Sequence, residues 1–147
     1  MALNHLADHI LAVAKRNGYK VTNLQLQKVM FFSLGLHIRR QNQIDDLAEE
    51  IYSGAPFSKW KYGPVVEEIY YNYNHYGAES IGSEGNYNPD YESLNDIITN
   101  LLKVDVFQLV DLSHKLDSWK NYGDDIVGMK YVAPYTLKEI AKDFIDE

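Results

Sequence analysis

Residues 22–41 constrain the fold most. Thr22-Asn23-Leu24-Gln25 matches a capping box, in which the Thr hydroxyl and the Gln side chain satisfy free N–H groups reciprocally. The helix it opens runs to about Gln41, and Leu24, Leu26, Val29, Met30, Phe31, Phe32, Leu34, Leu36 and Ile38 cover nearly all of its faces. A helix that is apolar on most sides belongs in the middle of a domain. The sequence therefore predicts a mainly α, compact, single-domain helical fold wrapped around a buried central helix at about 22–41.

The wrapping elements are also legible. Leu3, Leu6, Ala7, Ile10, Leu11 and Ala14 form a helical stripe. It ends in Lys15-Arg16-Asn17-Gly18, with cations in the last turn and glycine just beyond. Ser93-Leu94-Asn95-Asp96 resembles a second capping box, ahead of Leu94, Ile97, Ile98, Leu101 and Leu102. Asp105 is placed to cap a helix through Phe107, Val110 and Leu112. Thr136-Leu137-Lys138-Glu139 is a third box, opening a last helix with Leu137, Ile140, Ala141 and Phe144 inward. Short extended pieces near Ile51-Tyr52 and Phe57–Lys61 are expected to pair as a small β-hairpin at about 50–62.

Residues 57–77, FSKWKYGPVVEEIYYNYNHYG, carry the most individual pattern. Pro64 lacks a backbone N–H and has a fixed φ, which suits the first turn of a helix. Gly77 suits a left-handed stop. Val65, Val66, Ile69, Tyr70 and Tyr73 fall between them at helical spacing. The following GAESIGSEGNYNPD reads as an exposed loop, long enough to be either mobile or functional.

Composition narrows the function. A chain of 147 residues is most simply one domain. The absence of cysteine removes disulfides, thiolate metal sites and cysteine nucleophiles. The N-terminal residues carry charge too early for a signal peptide, and no apolar run approaches the roughly 18 residues of a membrane span, so a cytoplasmic location is expected. The 14 Lys and Arg stand against 21 Asp and Glu, a net charge of −7. Such a balance opposes a broad nucleic-acid surface and suits a basic partner, or solubility alone. The basic pairs Lys15-Arg16 and Arg39-Arg40 lie at predicted helix ends, where the dipole favours them.

Catalytic and metal patterns are weak. His5 and His9 share a helix face with Asp8 nearby, but Leu6 rather than Glu follows the first histidine and no third ligand is evident. Ser113 and His114 are adjacent on a helix, so their side chains diverge. The simpler reading of His114 is a structural histidine bonded to the backbone of a neighbouring element. Gly82-Ser83-Glu84-Gly85 lacks the lysine of a phosphate loop. No catalytic residue, metal or cofactor is called for. Tyrosine is abundant, with Tyr70, Tyr71, Tyr73 and Tyr76 inside seven residues. Four rings so close on a helix cannot all face one core, and tyrosine is enriched at interfaces.

Several segments together resemble a family. They are Ala7-Asp8-His9-Ile10-Leu11, Leu24-Gln25-Leu26-Gln27-Lys28 before Phe31-Phe32, Trp60-Lys61-Tyr62-Gly63-Pro64-Val65-Val66 with Ile69-Tyr70, and Leu112-Ser113-His114 with Trp119. In this order, over about residues 5–120 of a single domain spanning 1–147, they are similar to the Panacea (SocA-like) antitoxin domain, which also occurs in phage-associated proteins. The resemblance implies a non-enzymatic type II antitoxin that binds and neutralises a toxin protein encoded beside it. The toxin could be a translation inhibitor such as a small alarmone synthetase-like protein, a nuclease or a membrane-active peptide. Alternatives are an adaptor that delivers the toxin to a protease, a phage-derived regulator, or a hydrolase built on His114. The motif residues Leu26, Lys28, Trp60, Tyr62, Gly63, Pro64, Val65, His114 and Trp119 are expected to define the fold, with Trp60 through Pro64 fixing the start of the next helix. Tyr70, Tyr71, Tyr73 and Tyr76, the 77–90 loop, and Glu49 and Glu50 of the acidic 45–50 stretch are the expected toxin-facing groups.

Overall fold

The structure is a computed structural model and describes residues 2–145. It is mainly helical with one small antiparallel sheet. In chain order the elements are α1 (Ala2–Arg16), α2 (Asn23–Gln41), α3 (Asp46–Ile51), β1 (Ser58–Trp60), β2 (Gly63–Val65) and α4 (Glu67–Tyr73). They continue with α5 (Asn95–Leu102), α6 (Val106–Lys115), α7 (Asp117–Lys120), α8 (Gly123–Val127) and α9 (Leu137–Ile145). Short 3-10 helices lie at Asn74–Tyr76 and Pro89–Leu94.

α2 is the central element, as its all-round apolar surface predicts. Leu26, Val29, Met30, Phe31, Phe32, Leu34 and Ile38 are buried, and α1, α3, α5, α6 and α9 all pack on it. Phe31 anchors an aromatic cluster with Phe32, Phe57, Tyr135 and Phe144 at centroid distances of 5.1–5.9 Å. α9 seats against Gly35, where a Cβ would fall 2.2 Å from the Phe144 ring. α2 also buries Asn23, Gln27 and Lys28, three polar side chains in a single turn and a half. No helix among the described residues is long and apolar enough to cross a membrane.

Capping explains most boundaries. Thr22 accepts from the Gln25 N–H at 3.1 Å, but the Gln25 side chain donates instead to the Leu102 carbonyl, so only half of that box forms. Thr136 and Glu139 make the complete reciprocal pair, and Asp105 caps α6 through Phe107. The expected box at Ser93 does not form. Asn88 caps the Pro89 turn by accepting from Asp90, the chain is already turning through Ser93, and α5 starts at Asn95 with no side-chain cap.

Two readings of the 50–66 region are corrected. Ile51 closes α3, which Asp45 caps by accepting from Ala48, so it is not a strand residue. The hairpin exists, but β1 pairs with β2: Ser58 opposite Val65, Lys59 opposite Pro64, Trp60 opposite Gly63. Pro64 is therefore a strand residue, and the helix it was expected to start begins three residues later at Glu67. A missing N–H is equally tolerable on an outward-facing edge position of a strand, which is where this register puts Pro64.

The 77–90 segment is more tightly held than its composition implies. Ile81 is buried and its N–H donates to Val21 at 2.7 Å, beside a bridge between Thr22 and Ser80. Asn86 donates to the Asp8 carbonyl, and Asn88 donates to His9 Nδ1 at 3.0 Å. The segment is a strap along α1. Gly85, at φ +67°, lies so close that a Cβ would sit 2.2 Å from the Asp8 carbonyl oxygen, whereas Gly18, at φ +73°, has nothing within 4 Å. Gly18→Ala should therefore cost only the left-handed backbone term, about 1–2 kcal/mol. Gly85→Ala adds a collision with main chain and should cost measurably more. Urea denaturation of the two variants checks the order; equal losses would mean that the strap lifts off α1 without penalty.

Candidate functional site

The hairpin is where the sequence words of the chain meet. Three of its carbonyls are taken by side chains from three different elements. The Trp119 Nε1–H donates to the Trp60 carbonyl at 2.8 Å. His114 stacks on the Trp119 ring, centroids 3.9 Å apart, and donates from Nε2 to the Lys61 carbonyl at 2.8 Å. Lys28 Nζ donates to the Pro64 carbonyl at 2.8 Å. Gln27 accepts from the Val66 N–H at 2.9 Å, its amide donates to Asn23, and Asn23 donates to the Tyr70 carbonyl. The three polar side chains of α2 thus grip the chain from the end of the hairpin through the first turns of α4.

Gly63 is required twice over. Its φ is +100°, while neither Lys61 nor Tyr62 takes a positive φ, so the turn relies on glycine to bring the strands together. A Cβ there would also lie 2.4 Å from Ser113 Oγ. Ser113 is buried and donates to the Val110 carbonyl at 2.7 Å. Ser113 and His114 therefore bond different carbonyls, and neither serves the other as nucleophile and base. His9 is equally committed: buried, it accepts from Asn88 at Nδ1 and holds Asn95 Oδ1 at Nε2, 2.8 Å away. Among the described residues no group of three metal-ligand side chains comes together.

On its solvent side the hairpin forms one wall of a groove of about 600 Å³. Trp60, Tyr62, Val65 and Tyr70 line that wall, with Leu24 and Gln27 from α2. The opposite wall is Ile126 and Val127 of α8 followed by Met129 and Lys130. Trp60 is half-buried, its ring edge-on to Tyr70 at 5.1 Å and near Tyr71 at 6.3 Å. Large apolar groups of the groove stand open to solvent: Tyr62 is 54% exposed, Val127 60% and Met129 93%. Lys59, which also borders the groove, is buried and paired with Glu139 at 2.9 Å and lies 3.9 Å from the Tyr122 ring centroid.

The far wall ends in an unusual turn. α1, α2 and α8 all stop in the same way, a positive-φ residue bonding three residues back and its successor five back. α1 uses Gly18 and α2 uses Asn42, the two residue types that tolerate this conformation. α8 uses Met129 at φ +59°, with Gly128 one position too early to relieve it. A methionine there costs about 1–2 kcal/mol and holds an apolar side chain out at the groove lip.

The sequence-predicted partner groups are not gathered into one surface. Tyr70 lines the groove, and Tyr71, 58% exposed, stands beside it. Tyr73 and Tyr76 lean on each other and toward the strap, with Tyr76 against Gly82. Glu49 and Glu50 sit on α3, where Glu50 accepts from Tyr91, and neither lines the groove. Val127, Met129 and Lys130 were not anticipated, because they belong to no periodic stripe. The misplaced glycine of Gly128-Met129 was the one available signal.

Lys28 makes stability depend on pH. Burial without a carboxylate partner pushes its ammonium down to about 7. The unfolded chain then holds a proton that the folded chain releases, so stability rises with pH above about 7. The slope approaches one proton, about 1.4 kcal/mol per pH unit. His9, whose pKa burial lowers, acts in the same direction only below its ordinary range. Chemical denaturation between pH 7 and 9.5 should show this rise in the wild type and its loss in Lys28→Met. Parallel profiles would show that Lys28 stays charged in the folded protein.

Neither the curated proteins nor the solved structures include a match to this chain. A family model, Antitoxin SocA-like, Panacea domain, matches residues 26–120, which run from Leu26 within α2 through the hairpin to the α6–α7 segment that holds it. The groove's hairpin wall, Leu24 aside, falls inside the match, and the Ile126–Lys130 wall falls outside it. With about two thirds of its length covered, the chain belongs to the SocA-like antitoxin family, the Panacea domain.

Proposed function

We propose that this protein is the antitoxin of a type II toxin–antitoxin system, acting in the cytoplasm as a single Panacea-like domain over residues 1–147. It binds a toxin protein encoded beside it and neutralises it by direct contact. The observation that carries this reading is the groove: exposed Tyr62, Val127 and Met129 line one concavity in a member of an antitoxin-like family. Aromatic and methionine side chains around a concave apolar patch are what a protein interface uses. Tyr70 and Tyr71 extend that surface over the hairpin wall. The polar side chains that resemble chemistry, Ser113, His114 and His9, are instead committed to backbone carbonyls, a backbone N–H and an amide. A small alarmone synthetase-like translation inhibitor is the toxin class that the family resemblance favours.

A growth assay tests this. Each reading frame flanking the gene is induced with and without the protein in trans. One neighbour should be toxic, and wild-type protein should relieve it. Val127→Glu should lose that relief while its thermal melt stays within about 0.5 kcal/mol of wild type, because the site is solvent-exposed. Absence of any relieved neighbour overturns the antitoxin reading. Relief by Val127→Glu equal to wild type moves the interface away from the groove.

A further inference from the structure

We infer that the groove between the hairpin and the α8 turn receives an apolar segment carrying carboxylates, with Lys61 and Lys130 as their counter-charges. This rests on reading the groove as the docking surface. The chain is acidic overall, and by net charge alone it suits a basic partner. The groove has the opposite local sign. No carboxylate lines it, although Asp and Glu outnumber Lys and Arg in the chain by half. The three charged residues that do line it are Lys59, Lys61 and Lys130.

Their states differ in a way that identifies the site's needs. Lys59 is buried and already paired with Glu139, so it offers no charge to a ligand. Lys61 and Lys130 are exposed and take no part in the ion pairs found among the described residues. One stands on each wall: Lys61 in the hairpin turn, Lys130 directly after the strained Met129. A basic segment entering here would meet two like charges. An acidic one would exchange their hydration for two ion pairs at the rim of an apolar interface, the position from which charge sets partner choice and association rate. The apolar floor requires the same segment to bring large apolar side chains to Trp60 and Val127.

The backbone supports a prepared site. The αL conformation of Met129 brings no internal contact for its 93% exposed side chain, and strained residues of this kind cluster where a surface has work to perform on a ligand.

The test uses two synthetic 16-residue amphipathic peptides with identical Leu positions, their polar positions filled by Glu in one and Lys in the other. Binding to the full chain is followed by fluorescence anisotropy, with NMR mapping of the site. The Glu peptide should bind about ten-fold more tightly than the Lys peptide at low salt, and the difference should shrink at 0.5 M NaCl. The Lys61→Glu, Lys130→Glu double variant should reverse the order without changing the melt. Met129→Gly should raise the melting midpoint yet weaken binding of the Glu peptide. Equal affinities, a preference for the Lys peptide, no binding of the Glu peptide, or shifts mapping away from Tyr62 and Val127 would each overturn the inference. Its failure is separable from that of the antitoxin reading. Growth relief that survives the double variant removes only the charge assignment. A Glu peptide bound in the groove of a chain that relieves no toxic neighbour removes only the antitoxin role.

Discussion

The contact on which the rest depends is the bond from Lys28 to the Pro64 carbonyl. A two-stranded hairpin is marginal by itself, and this one presents carbonyls on both outer edges that need donors. α2 could have been apolar throughout. Instead it buries Asn23, Gln27 and Lys28 on the side facing the hairpin, and all three bond its backbone or that of α4. A buried lysine with no carboxylate partner is a poor stabiliser when charged and a good long-reach donor when neutral. Its lowered pKa follows from that position. The hairpin is in consequence attached to the buried central helix of the protein, and the groove wall it forms is tied to the core.

How far the sequence disclosed this can be read residue by residue. α2 was legible because its apolar residues ignore helical sidedness, and the last helix because Thr136 and Glu139 form a complete cap. Pro64 misled because the property that admits proline to a first helical turn also admits it to a strand edge; only the glycine before it, at φ +100°, separates the two. Gln25 misled differently: a local box was available, and a long-range bond to Leu102 took the side chain. The strap at 77–90 was invisible because it is fixed by main-chain bonds to Val21 and Asp8 and by His9, which composition cannot register.

The candidate site was half legible for a related reason. Its hairpin wall is built from motif words, and each word carries a structural duty that the contacts explain: Trp119 and His114 serve carbonyls, Gly63 avoids Ser113, Lys28 serves Pro64. Its other wall is made by a five-residue helix and a turn with no pattern at all. Tyrosine density drew attention to Tyr73 and Tyr76, but a count of aromatic side chains does not say which way they point, and these two cover the strap.

The two walls differ in what they would tolerate. Changing the hairpin wall disturbs carbonyls satisfied by α2, α6 and α7, so its backbone is bound to the integrity of the core. The Ile126–Lys130 wall buries only Ile126, and its remaining side chains are exposed. Substitution there is close to neutral for folding, and at Met129 the present residue opposes it. If the groove is the docking surface proposed above, this arrangement separates the part that must be constant to fold from the part free to vary with the partner. That separation is the physical condition under which one helical scaffold can be matched to different binding segments without being rebuilt.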